Sequence, residues 1–336
     1  MRFRQVFNRS YRMLQGHFKS LPNGLYCFNY HRIGDSKKSD LDPNVYSCDA
    51  TQFALHLDYY KQHYRVIDMA QLLDLINSDS VIDEPLALIT FDDGYCDNYS
   101  QAFPLLKQRS LSASFFVSTD YIDESQLPWW DEIAWLLKNT QQKTVFLEGW
   151  QQAISIVGSN EEDLIRQVLR EVKSNQTLGL QKQLQQLRTE LVTQTIDAEL
   201  YRELFMSWDQ LREMQDAGMH IGSHSASHEI LAYLDEKHQY HELYQSYKRI
   251  QQELQPTIAS LAYPVGNAAS FSPETERTAK QIGYQLAFSF ISGLNSMLDE
   301  TEKFRIRRIP VTHNSSVSKL KRFIFEAAHT KKRAIK

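Results

Sequence analysis

Residues 86–95 read Leu86-Ala87-Leu88-Ile89-Thr90-Phe91-Asp92-Asp93-Gly94-Tyr95. A nearly unbroken apolar run ends on two carboxylates and a glycine. Without polar alternation, such a run predicts a strand buried on both faces, as in a parallel sheet covered by helices. In those folds ligands and catalytic groups collect at the C-terminal ends of the strands. Asp92 and Asp93 stand at that end. Two adjacent acids repel, so they need a compensating metal, arginine or shared proton. An Asp-Asp-Gly turn without chemistry is the plainer alternative.

Working outward, strand patterns at 25–29, 66–67, 113–117, 219–222, 260–262 and 285–289 alternate with helical patterns at 51–62, 69–77, 98–108, 237–254 and 273–282. The alternation predicts an α/β fold, a parallel sheet or barrel covered by helices. Helix ends agree with it. Ser207-x-x-Gln210 is a capping box for a helix over 208–217, closed by Gly218. Ser272 and Pro273 open another helix, and Gly283 closes it. The alternation breaks over residues 130–205. There Leu184, Leu187 and Leu191 recur at helical spacing, predicting a helical insertion.

The chain has 336 residues, 42% apolar and 23% charged, with 12 Gly and 9 Pro. That is a globular composition, long enough for a full core, and not collagenous or low-complexity. Mean hydropathy is −0.47, and no apolar run is long enough to predict a membrane span. Three cysteines, Cys27, Cys48 and Cys96, form no C-x-x-C. Sparse cysteines and no recognisable signal peptide lead us to expect a cytoplasmic protein. The net charge of −4 is unevenly spread: residues 1–20 carry +5, 319–336 carry +6 and 21–318 carry −15. Nucleic acid is therefore not an expected partner. The basic ends are expected to be solvated tails, with the inner face of a membrane as the alternative partner. Phe3, Phe7, Tyr11, Leu14 and Phe18 form a helical stripe, expected to dock on the protein's own core rather than on lipid. The expected organisation is a basic segment at 1–20, a barrel at 21–318 including the insertion, and a basic tail at 319–336.

A second signal follows the strand pattern at 219–222: His224-Ser225-Ala226-Ser227-His228. Two histidines at this spacing can converge on one metal, from a helical turn or a tight loop. Two surface histidines in a polar loop are the plainer reading. Joined to the acids, they make a three-ligand site with open positions, the pattern of catalytic metals, and leave one carboxylate as a general base.

Three ordered stretches now resemble one family: Thr90-Phe91-Asp92-Asp93-Gly94-Tyr95, His224-Ser225-x-x-His228, and Leu261-Ala262-Tyr263-Pro264-Val265-Gly266. They are similar to the motifs of the polysaccharide deacetylases (NodB-homology, carbohydrate esterase family 4), over residues 25–312. The resemblance implies a distorted (β/α) barrel of about seven strands. It implies metal-dependent removal of an acetyl group, N-acetyl first, from a sugar unit of a polysaccharide or glycan precursor. Zinc is the default ion, with other divalent ions as alternatives. Asp92 is then the general base, Asp93, His224 and His228 the ligands, and the Val265 N–H part of an oxyanion site.

Two departures stand out. The family's arginine before the motif proline is Ala262 here, and Arg308 is the candidate replacement. The family's C-terminal acid histidine has no counterpart. Phe28-Asn29-Tyr30-His31-Arg32 resembles the N-terminal element of the permuted poly-N-acetylglucosamine deacetylases, which makes His31 the expected general acid ahead of His313. Trp130, Tyr95, Tyr263 and Asp131 are candidates for substrate contact or support: Trp130 as a sugar platform or, equally, as packing between the insertion and the barrel, Tyr95 and Tyr263 as pocket walls, while Trp129 is expected to pack. The missing arginine leaves one rival, an inactive carbohydrate-binding or scaffold protein on the same fold.

Overall fold

The computed structural model describes residues 21–78, 81–124, 126–175, 178–191, 195–300, 302–312 and 315–329. Its strands are β1 (Gly24–Tyr30), β2 (Arg32–Ile33), β3 (Tyr46–Cys48), β4 (Arg65–Val66), β5 (Pro85–Phe91), β6 (Ser114–Val117), β7 (Thr144–Val145), β8 (Ile154–Ser155), β9 (His220–Ser223), β10 (Ser260–Ala262), β11 (Leu286–Phe288) and β12 (Ile309–Pro310). Seven of them form one parallel sheet in the order β11-β10-β9-β6-β5-β1-β12, and β4 joins the start of β5. The two edges approach through residues 306–310. Ile306 bridges to Phe288 of β11, and three residues later Ile309 pairs with Phe28 of β1. The half-barrel is thus drawn toward closure by one short stretch, as a distorted (β/α) barrel.

Strand parity sorts the core. Leu25, Cys27, Leu86, Leu88, Phe116, Ala262, Leu286, Phe288 and Ile306 share one apolar cluster inside the sheet's curve. Their neighbours Tyr26, Phe28, Ala87, Ile89 and Phe91 pack outward against helices. Continuing the inner rows upward by two gives Asn29 on β1, Thr90 on β5 with Asp92 just past its end, and Arg308 before β12. Buried polar groups therefore cap an apolar barrel core, and their placement is set by register.

The helices Met69–Asn77 and Pro273–Ile282 have the expected bounds, and the capping box at Ser207 opens Trp208–Asp216. The expected helix over 98–108 starts with a wider π turn at Asn98–Ala102. The insertion is helical, with Trp129–Asn139, Glu161–Ser174 and Leu180–Glu190, and it adds the small β7–β8 hairpin. Leu164, Ile165, Val168, Leu184 and Leu187 share a core with the outer face of the barrel, so the insertion is packed onto it.

The expected solvated tail at 319–336 needs correction. Val317–His329 is a helix whose Leu320, Ile324 and Ala327 are buried against the same core. The basic composition had hidden a stripe at helical spacing. Residues 1–20, with the Phe3–Phe18 stripe, lie outside the described residues, as do 330–336. No described helix is long and apolar enough to cross a membrane.

The docked helix makes a stability prediction. Ile324→Ala should lower unfolding free energy by about 2–5 kcal/mol in denaturant titration. An unchanged midpoint would mean that this helix does not contribute to the core.

Candidate active site

The β1–β5 register aligns Asn29 with Thr90 and Tyr30 with Phe91, so His31 and Asp92 leave their strands side by side. Asp92 N–H donates to Tyr30 O at 3.0 Å. The Asp92 carboxylate receives Arg308 Nη1 at 2.7 Å on one oxygen and Arg308 Nη2 at 2.8 Å on the other. Asn29 Nδ2 adds a third donor at 3.0 Å. Asn29 Oδ1 in turn accepts from Arg308 Nη1 at 2.7 Å and Thr90 Oγ1 at 2.8 Å. Arg308 Nε donates to Ser289 O at 2.8 Å. Both ions are buried, and every bond here holds the carboxylate as the anion. Burial alone would raise the pKa of Asp92. The Arg308 guanidinium overcomes that and holds it far below the usual carboxylate range.

Asp93 follows in the left-handed region, with φ 76°, and Gly94 with φ 93°. This turn aims the two adjacent carboxylates differently. Asp93 Oδ1 stands 3.5 Å from His224 Nε2 and 3.6 Å from His228 Nε2. Asp92 Oδ2 is farther from His224 Nε2, at 3.9 Å. The histidines come from a tight loop after β9, not from a helix. His224 N–H continues the ladder to Val117 O at 2.8 Å. Ser225 and His228 then take positive φ, 64° and 62°. Glu242 clamps Ser227 N at 2.9 Å and Ser227 Oγ at 2.7 Å, and Ser225 Oγ accepts from His228 N at 3.1 Å.

The three donors fit a divalent ion. Ligand atoms at about 2.0–2.1 Å from a tetrahedral ion lie roughly 3.3 Å apart. The observed separations of 3.5 and 3.6 Å are near this and too long for hydrogen bonds. Asp93, His224 and His228 have donor atoms within 4.8 Å of one another, and all are buried. His224 Nδ1 donates to Ala262 O at 2.8 Å, leaving the Nε2 lone pair free. Burial lowers the pKa of both histidines and keeps them neutral, as ligation requires. Burial, Asp92 and Asp131 push Asp93 well above the carboxylate range, a penalty that a cation would remove. His228 Nδ1 is buried with no partner among the described residues, so nothing there fixes its tautomer.

The motif after β10 is strained where an N–H is on offer. Val265, a β-branched residue, has φ 61° and Gly266 φ 63°. Gly266 N–H reaches back to Pro264 O at 2.6 Å across Val265. A Cβ on Gly266 would meet Phe290 N at 2.6 Å, so only glycine fits. The Val265 N–H has no acceptor among the described residues. Such an outlier in a motif loop is a functional hint.

His31 sits edge-on to Phe290, with ring centroids 5.8 Å apart. Burial lowers its pKa to about 4, while Asp92 pulls it up. His313 lies outside the described residues. The aromatic candidates are buried. Trp130 stands 4.4 Å from the His228 ring as a wall, and its Nε1 donates to Tyr95 Oη at 2.6 Å. Tyr95 Oη donates to Asp131 Oδ2 at 2.7 Å. Burial lifts Asp131 to about 6, and its other oxygen accepts from Asp42 N at 2.9 Å. These three hold the wall rather than present a sugar platform. Tyr263 is turned away: its ring stacks on Phe271 and its hydroxyl donates to Phe304 O at 3.0 Å. Asn29 and Glu242 were not anticipated. Asn29 adjoins the Tyr30-His31 element, and strand parity alone could have pointed to it.

A sequence model of the polysaccharide deacetylase family matches residues 80–287. YxkH of Bacillus subtilis (strain 168), whose name assigns it to the polysaccharide deacetylases, is 29% identical over 97 residues. That alignment spans 29% of this chain and 32% of the relative, about a third of its length. The Streptococcus pyogenes deacetylase PplD in complex with acetate superposes with a TM-score of 0.57 at 16% identity, over 90% of this chain and 99% of that one. IcaB from Ammonifex degensii gives a TM-score of 0.57 at 19% identity, over 90% and 98%. At these identities the solved structures attest the fold, and the family match adds the sequence. With the paired acids, the two histidines and the motif loop in one barrel mouth, the chain belongs to the polysaccharide deacetylase family.

Proposed function

We propose that this protein hydrolyses an acetyl group, N-acetyl first, from a sugar unit of a polysaccharide or glycan precursor, using one divalent ion. The observation that carries this reading is the convergence of one donor atom each from Asp93, His224 and His228, within 4.8 Å of one another, beside an ionised second carboxylate, Asp92. Zinc is the default ion for a mixed nitrogen and oxygen donor set. When bound, the ion polarises the acetyl carbonyl and lowers the pKa of water toward 7.

The chain's own residues supply the rest. Asp92, held as the anion by Arg308 and Asn29, takes the proton from the attacking water. The Val265 N–H points its dipole at the oxygen that gains charge. His31 delivers a proton to the departing amine. With a pKa near 4, His31 is neutral at rest, so the proton that Asp92 takes from water passes to His31 and from there to the amine, one proton moving from water to nitrogen. Water adds across the amide bond, giving acetate and the sugar amine. The rival reading, an inactive binding protein, rested on the missing motif arginine. Arg308, from the stretch just before β12, grips Asp92 instead, which favours the enzyme. Location at the inner face of a membrane belongs to the same proposal and rests on the basic termini alone.

Purified protein loaded with zinc should release acetate from acetylated amino-sugar oligomers, and a chelator should stop it. Asp92→Asn should cut turnover by about 10²–10⁴ with zinc affinity retained. Wild-type turnover in that variant would remove Asp92 from the chemistry. Asp93→Asn, by contrast, should lose zinc, measured by equilibrium dialysis. His31→Ala should slow turnover on a similar scale at unchanged zinc affinity. Full activity there would place the acid elsewhere.

A further inference from the structure

The reaction above uses no residue of the inserted helix Glu161–Ser174, yet one of them has its side chain close to the site. Lys173 lies in its last turn, next to buried Val172. Tyr233 Oη donates to its carbonyl at 2.8 Å and fixes the backbone there. Its Nζ lies 5.5 Å from the centre of the Trp129 ring. Trp129 is itself seated on the metal-ligand loop: its Nε1 donates to His228 O at 3.4 Å, and the two rings lie 6.2 Å apart. Lys173 is therefore held at the mouth, one aromatic ring away from a metal ligand.

No described carboxylate pairs with it. Lys173 forms no ion pair and its Nζ no hydrogen bond among the described residues. Asp42 is a near acid, but its Oδ1 already accepts from Asn44 N and Nδ2, both at 2.8 Å. The charge of Lys173 reaches Asp42, Asp93, His31 and His228, so it belongs to the site's field. Arg308 answers Asp92, and a divalent ion would more than answer Asp93. Lys173 then faces Asp42 through charge alone, with no ion pair between them and no hydrogen bond on its Nζ among the described residues, so its donors stay open to a ligand. A partly desolvated ammonium in such a place favours an anion as a point charge. Insertions on a rigid scaffold are also where substrate selection is commonly built.

Resting on the deacetylase reading, we infer that Lys173 is a specificity residue that binds an anionic substituent, phosphate or carboxylate, on the acetylated sugar. The bland alternative is a helix-terminal lysine that merely offsets Asp42 and Asp93.

The test is equilibrium binding by titration calorimetry to the full-length zinc-loaded protein. The probes are N-acetylglucosamine, N-acetylglucosamine 1-phosphate and a glucuronate–N-acetylglucosamine disaccharide. Wild type should bind at least one anionic sugar about tenfold more tightly than the neutral one at low salt, with the advantage shrinking at high salt. Whichever anion gains identifies phosphate or carboxylate. Lys173→Met should lose that preference, and Lys173→Arg should keep most of it. Equal binding of all three sugars by wild type would overturn the inference. So would a preference that survives in Lys173→Met, or a Lys173→Met variant that changes only zinc affinity or thermal stability. Acetate release is read separately. Lys173-dependent binding without acetate release would sink the hydrolase reading and leave this one standing.

Discussion

The site is organised around a buried ion pair, Arg308 with Asp92. Arg308 comes from the short stretch that draws the barrel's edges together, 216 residues after its partner in the chain. Burying both charges is expensive. Removing either partner would strand the other at a cost of about 3–5 kcal/mol. The pair persists because its hydrogen-bonding capacity is met: Asn29, Thr90 and the Ser289 carbonyl complete the network. The same interaction therefore links closure of the fold to the ionisation state of one carboxylate.

That link separates two neighbours of identical chemistry. Asp92 keeps its charge through protein partners, so it has little to offer a metal. Asp93, turned the other way by a left-handed backbone, has no such partner among the described residues and is pushed toward its neutral form. A cation held by Asp93, His224 and His228 would reverse that preference. Two adjacent carboxylates thus acquire two different ionisation preferences from environment alone, which is what the proposed division into base and ligand requires. The strained loops follow the same logic. Ser225, His228 and Val265 all take positive φ around the mouth, where strain places donors rather than packing side chains.

Much of this was legible in the sequence, and the exceptions have physical causes. The acids and histidines could be read because each follows a strand pattern, and strand ends of one sheet converge. Arg308 could be named but not assigned, because only barrel closure decides whether a residue that far along the chain returns to Asp92. Asn29 was missed because a single amide at a strand end carries no pattern of its own. Trp130 left a platform and a packing reading open because aromatic character says nothing about which face is covered. The structure buries it behind His228, tied through Tyr95 to Asp131. The C-terminal helix was masked by its lysines and arginines, since charge on one face conceals an apolar stripe on the other. Lys173 looked like any charge on an inserted helix until its neighbours were known.

The most direct test of the division between Asp92 and Asp93 is to locate the ion. A crystal of the protein soaked with zinc and measured at the zinc edge would show it by anomalous scattering. The account predicts one strong peak bonded to an Asp93 oxygen and to a nitrogen of each of His224 and His228, with Asp92 still gripped by Arg308. A peak bonded to Asp92, or no peak at this site at saturating zinc, would contradict it.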